Sequence, residues 1–319
     1  MNGIGTIDSP YIIMNAGDLY SMATTGGNQI YFSLGSDIDL NDSQYAENFV
    51  PIPLNCKMLI GNNHVIRNVN YSIPDQNVSM FTVSGDDEKD ITIDGLRIEN
   101  IRLSGKNSFI FSNSGSGKCN IFLNHCDFVM NDITFTVSEP CSSSDRRCIM
   151  HNNNVVISAD YCTFVTKVYF QKVQPIFFGD TISHSQFKFE ITTQLLNASS
   201  DINNAPMSGV KVSDSYFFMT INKRTGENTE TIDFSSSDST FSGCYMVCEV
   251  IAGISLVQWN GRIGNICFFD KDVLTNTVKN ASLKGSGSYT SKILGLTTEQ
   301  CKDAVYLRSI GFNCAGADE

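Results

Sequence analysis

Residues 91–98 read ITIDGLRI, and the same shape returns as IFLNHCDF at 121–128, DTISHSQF at 180–187, VKVSDSYF at 210–217 and GRIGNICF at 261–268. Three copies have an aliphatic pair one residue apart, the copies at 180–187 and 261–268 keep its second member as Ile182 and Ile263, and after small or polar residues the five close on Ile98, Phe128, Phe187, Phe217 and Phe268. Looser copies close at Phe164 in ADYCTF and at Phe241 in SDSTF, so the closing residues are spaced by 30, 36, 23, 30, 24 and 27. A unit that returns every 20 to 50 residues cannot bury its own apolar face and must stack on its neighbours. Its alternation has the period of a strand, and nothing between the copies carries helical periodicity. Short strands of constant shape joined by turns of variable length predict a parallel β-helix, because inward positions must keep register while turns are free to lengthen. The five closing residues are expected to face the lumen. The longest excursions, at 136–147, 194–208 and 222–231, are the first places to look for recognition.

A chain of 319 residues is long for one compact core but ordinary for a solenoid. At roughly 25 residues per coil and ~4.8 Å per stacked strand, residues 31–295 make on the order of ten coils. Residues 1–319 are then expected to form one domain: a cap over 1–30, coils over 31–295 and a second cap over 296–319. The net charge of −11, with basic pairs only at Arg146-Arg147 and Lys223-Arg224, argues against nucleic acid and anionic membrane as partners, since both need a basic footprint. No stretch reaches the ~18 apolar residues of a membrane span, and the first 20 residues lack the pattern of an export signal.

The chain has 11 cysteines, none in a C-x-x-C pair, and its four histidines do not stand beside them at zinc-ligand spacing. Neither a metal nor a cofactor is expected. Cys126, Cys162 and Cys267 fall inside the repeat and read as buried, reduced, small hydrophobes. Cys141 and Cys148 flank a loop and form the best candidate disulfide should the chain meet an oxidising compartment.

At the N-terminus, SPYIIMNAGDLYSMATT gives a strand and then a short helix, with Asn15 as N-cap and Leu19, Tyr20 and Met22 inward. At the other end, LTTEQCKDAVYLRSIGFN gives a helix whose start carries a capping box between Thr297 and Gln300. The order Gly5-Thr6, Pro10-Tyr11-x-Ile13, Asp18-Leu19-Tyr20, Tyr31-Phe32-x-Leu34, Asp37-Ile38-Asp39-Leu40, Pro51-Ile52 and Gly61-Asn62-x-His64-x-Ile66-x-Asn68 resembles the opening of pectin-lyase-like β-helix proteins, including those with GLUG-type repeats. Such proteins occur on bacterial surfaces and among bacteriophage structural proteins. The chain departs from that pattern at Ile60, at Asn63 and at Ser79-Met80-Phe81-Thr82. The resemblance implies an all-β, right-handed parallel β-helix with short capping helices at both ends, and gives Asp37 and Asp39 a turn-forming, hydrogen-bonding role over a calcium-binding one.

Many proteins of this type cleave polysaccharides, which takes paired carboxylates. The N-T-D, G-H-G and R-I-K motifs of pectin-cleaving hydrolases are absent, and the single D-D, Asp86-Asp87 in GDDEKD, reads as a charged, solvated turn. His64 reads as structural, and His125 and His184 occupy equivalent turn positions. No catalytic residue is assigned. Trp259 is the one candidate for stacking on a sugar. The sequence therefore points to a non-enzymatic structural or attachment protein, an accessory bacteriophage virion component assembled in the host cytoplasm, whose partners are other virion proteins, further copies of itself or a surface glycan. A tailspike-like polysaccharide lyase or glycosidase is the alternative from another class. A secreted or surface-bound bacterial adhesin is the third.

Overall fold

The structure is a computed structural model, and it describes residues 1–42, 49–83, 87–135, 148–152, 154–172, 175–195, 205–223, 230–236, 238–251, 254–259, 261–273, 282–285 and 293–310. The chain divides into two compact units, Met1–Tyr169 and Phe170–Glu319.

In the first unit, Tyr11–Ile13, Tyr31–Leu34, Met58–Ile60, Lys89–Asp94, Cys119–Asn124 and Val155–Asp160 pair in that order, every pair parallel. A second parallel sheet takes Ile38–Asp39, Val65–Val83, Arg97–Asn113, Asp127–Phe135 and Thr163–Lys172. Neighbouring parallel strands need a crossover; the first, from Tyr11–Ile13 to Tyr31–Leu34, runs through the N-terminal helix, and from Tyr31–Leu34 onward each crossover in this first sheet runs through a strand of the second. The chain therefore winds as coils, which makes the unit a parallel β-helix. Register shifts bend the long strands between the coils' faces, as between Ile73 and Asn77 in Val65–Val83.

The second unit repeats the plan with three parallel sheets. One holds Thr181–Ser183, Lys211–Ser213, Thr240–Ser242 and Arg262–Ile263. The next holds Gln186–Leu195, Tyr216–Lys223, Tyr245–Ile251, Cys267–Asp270 and Ile293–Leu296. The last holds Phe177–Phe178, Met207–Ser208, Glu230–Ser235, Ile254–Trp259 and Ser282–Gly285.

Register sets the core. Ile98, Phe128 and Phe164 align in one inward column of the first unit, and Phe187, Phe217 and Met246 in one of the second; all six are fully buried. Ring stacking follows from the strand spacing: Phe128 on Phe164 at 5.5 Å and 12°, Phe187 on Phe217 at 4.6 Å and 6°. Two closing residues of the sequence pattern take other places. Phe241 is buried but pairs with Val212, a whole strand earlier in the coil. Phe268 pairs with Tyr245 and Phe269 with Met246, so one extra residue in the preceding turn moves Phe268 to the opposite face of the sheet, against Leu296 and Leu307. The lumen slot of that coil belongs to Phe269, and that of the coil before it to Met246.

In six coils the turn between the first two strands uses left-handed backbone at one fixed position: Gly95, His125, Tyr161, His184, Asp214 and Gly243, with φ from 45° to 65°. Gly, Asp and His take this conformation at lower cost than most residues, whereas a bulky Tyr161 is an unusual occupant. The residue after it is buried in these six coils: Leu96, Cys126, Cys162, Ser185, Ser215 and Cys244. Apart from Leu96, each of these donates to the carbonyl two residues back, from 2.7 Å for Ser185 and Ser215 to 3.2 Å for Cys126 and 3.6 Å for Cys244. The repeat cysteines are thus hydrogen-bonding turn residues that serine replaces, as well as small apolar fillers.

The ends carry the expected helices. Asn15 caps Ala16–Tyr20 by accepting from the Asp18 N–H at 3.0 Å, and Leu19 and Met22 are buried. Tyr20 is half-buried, its hydroxyl donating to the Val50 carbonyl at 2.7 Å. Thr297 and Gln300 form the capping box of Thr298–Lys302, followed by the helix Ala304–Ser309.

Candidate functional site

The carboxylates of the opening motif bind to the next coil. Asp37 accepts from the Val65 N–H at 3.2 Å and pairs with His64 Nδ1 at 3.1 Å. Asp39 accepts from both sides: Asn68 Nδ2 at 2.8 and 2.9 Å, Arg67 Nε at 2.9 Å. Val65 first and then His64 hold the Asp37 carboxyl below its ordinary value, and Asn68 first, with Arg67, does the same for Asp39. Groups stabilised as carboxylates are poor general acids.

From Asp39 a ladder continues along the coils. Asn100 Nδ2 donates to Asn68 Oδ1 at 2.6 Å, and Asn131 Nδ2 donates to Asn100 Oδ1 at 3.1 Å. Asn68 and Asn100 have φ of 64° and 54°, a conformation asparagine tolerates. Sequence reasoning included Asn68 in the opening motif and missed its continuation; the signal is the recurrence of I-x-N-[VI] at 66–69 and 98–101.

His125 sits in the left-handed turn slot, pairs with Asp94 through Nδ1 at 3.3 Å and stacks on the exposed Tyr161 at 5.5 Å and 7°. His184 occupies the same slot in the second unit. The strand of Trp259 is described but its side chain is not, so the proposed sugar-stacking residue lies outside the described side chains. Cys141 also lies outside the described residues, and with it the candidate bridge to Cys148, which is buried.

The acidic turn leads into a depression on the first unit. Asp86 lies outside the described residues, but Glu88, Lys89 and Asp90 line an open depression of about 510 Å³ with Asn28, Lys57 and Asn120. Asp90 belongs to the strand Lys89–Asp94 and is held by Asn120 Nδ2 at 2.9 Å; the same amide donates to Glu88 at 3.4 Å. Four separated segments of the first unit supply these groups, while Asp87 and Glu88 themselves stay exposed in the turn before the strand. Two carboxylates converging on one amide beside two lysines form a surface able to bind polar, hydroxyl-rich or charged groups.

No family model matches the chain, and no curated protein matches it in sequence. A solved structure from Bacteroides ovatus, provisionally described as an immunoglobulin A1 protease, is similar over 96% of this chain and 89% of its own, at 13% identity and a TM-score of 0.45. At that level the protease description concerns the Bacteroides protein alone. The fold of this chain rests on its own strand pairing.

Proposed function

We propose that the chain works without turnover, as a structural or attachment protein that holds a position in a larger assembly, of the kind bacteriophage virions carry as capsid decoration, fibre or tail components. One observation carries this reading: acidic and imidazole groups that could serve catalysis are spent on joining one coil to the next. Asp37 and His64, Asp39 with Arg67 and Asn68, and Asp94 with His125 each bridge neighbouring coils. Such ladders stiffen a solenoid, since each coil contacts only its neighbours and every bridge adds to a nearest-neighbour interface. Among the described residues nine cysteines are free and eight of them buried, which suits assembly in a reducing cytoplasm over a life on the bacterial surface.

The groove beside Glu88 and Asp90 favours the enzymatic alternative, a tailspike-like lyase or glycosidase, and defines the test. Purified protein is incubated with a panel of bacterial capsular, lipopolysaccharide and pectin-like polymers, and new reducing or unsaturated ends are measured. The structural reading expects none, together with co-purification in particles at fixed stoichiometry. Polymer cleavage that disappears in Glu88→Gln or Asp90→Asn would replace it with the enzymatic one.

A further inference from the structure

The second unit ends in a segment attached differently from its coils. The strand Ile293–Leu296 pairs with Cys267–Asp270 over four register positions. It leads into two helices of five and six residues, Thr298–Lys302 and Ala304–Ser309. Isolated helices shorter than ~12–15 residues are marginal in water, so these two persist through what they touch. Leu296 and Leu307 meet Phe268 in a small buried cluster, flanked by Tyr216, Tyr245 and Tyr306. Tyr216, Tyr245, Phe268 and Leu294 form one register column, on the face opposite Phe217 and Met246. The segment therefore covers an apolar stripe on the outside of the sheet, and its core is separate from the lumen.

Beyond the backbone pairing of Ile293–Leu296, the start of the first helix is clasped to the coil at Thr298. Thr298 Oγ1 donates to the Asp270 carboxylate at 3.0 and 2.9 Å, and the Thr298 N–H donates to Asp272 Oδ2 at 3.0 Å. Asp270, only 3% exposed, also accepts from the N–H groups of Asp272 and Val273 at 3.0 and 3.1 Å, which fixes the carboxylate for Thr298. The capping box is internal to the segment: the Gln300 N–H donates to Thr297 Oγ1 at 3.2 Å and the Thr297 N–H to Gln300 Oε1 at 2.9 Å. The helix start is thereby satisfied from within, and the Thr298 clasp ties it to the coil beside the backbone ladder of Ile293–Leu296 and a side-chain bond between Cys301 and Tyr245.

We propose that residues 293–309 are a latch that opens as one unit while the coils stay folded, with the Asp270–Thr298–Asp272 clasp setting how often it opens. Cooperative local opening is drawn from elements with few buried apolar contacts and their own local hydrogen bonds, and this segment has both features. Opening uncovers Tyr216, Tyr245 and Phe268 together with the edge of Cys267–Asp270, an apolar strip beside free backbone donors and acceptors.

Hydrogen–deuterium exchange on the full-length protein tests it. Peptides covering 294–309 are expected to exchange at least about tenfold faster than those covering 217–221. Thr298→Val, which keeps the shape and removes the hydroxyl donor, is expected to speed the latch by about a further tenfold, the effect of a lost charge-assisted hydrogen bond, and to leave 217–221 unchanged. Thr298→Ser keeps the donor and should return the latch to the wild-type rate, which separates the clasp from general destabilisation. Latch and coil peptides exchanging together in the wild type would overturn the proposal, as would Thr298→Val altering both regions equally or neither.

Discussion

Asparagine in a left-handed turn does two jobs at Asn100: its backbone accepts φ of 54°, and its amide both donates to Asn68 and accepts from Asn131. Asn100→Ala removes both bonds and places a side chain with no local partner in a conformation that costs roughly 1–2 kcal/mol. A loss of about 2–3 kcal/mol is expected, read as a lower urea midpoint. Asn100→Gly loses the same bonds but relaxes the backbone, so it should be the milder change; equal losses for Ala and Gly would show that the turn stores no strain. Asp39 gives a second prediction at this scale. Its pKa is held down in the folded state by Asn68 and Arg67, so the stability it contributes is present above the ordinary carboxylate value of about 3.9 and is lost as pH falls through its lower folded value. Thermal midpoints measured from pH 7 down to pH 3 should therefore fall for the wild type. They should start lower and fall less for Asp39→Asn.

At the scale of the coil, what repeats is a slot and not a letter. The slot after the left-handed residue holds Leu96, Cys126, Cys162, Ser185, Ser215 and Cys244, and cysteine and serine make the same bond to the carbonyl two residues back. Cys162→Ser is therefore expected to cost less than about 1 kcal/mol, whereas Cys162→Val, which fills the space without a donor, should cost more. A calorimetric ranking with Val above Ser would show that packing alone governs the slot. The same distinction explains what was legible in the sequence. Period-2 alternation and the turn that follows it identify the first strands of five coils, because burial on one face demands them. Matching on phenylalanine misplaces Phe241 and Phe268, since the lumen accepts any large apolar side chain: Met246 fills the slot of Phe217, and one inserted residue carries Phe268 out to the latch. A strand that reads alike on paper changes face when its register moves by one.

Across the whole molecule, cysteine burial and the groove differ in how far the sequence foretells them. The groove draws Asn28, Lys57, Glu88 and Asn120 from segments some 30 residues apart, and only the register of stacked coils brings them together; no local pattern marks them. Thiol burial, in contrast, follows from the repeat. Eight of the nine described cysteines are buried, and burial pushes the thiols of Cys56, Cys119 and Cys248 up to about 12, while Cys301 is half-buried in the latch helix. The thiolate is the reactive form, so at neutral pH Cys56, Cys119 and Cys248 are doubly protected, by protonation and by lack of access, and the other buried thiols by lack of access. A thiol reagent added to native protein should leave the eight buried cysteines unmodified on the time scale in which Cys301 reacts, and Cys301→Ser should remove one equivalent from the fast phase. Denaturation without reductant should then release nearly all 11 thiols of the chain. Recovery of three or fewer would mean extensive pairing, which belongs to an oxidising compartment, and would put the secreted adhesin ahead of the virion component.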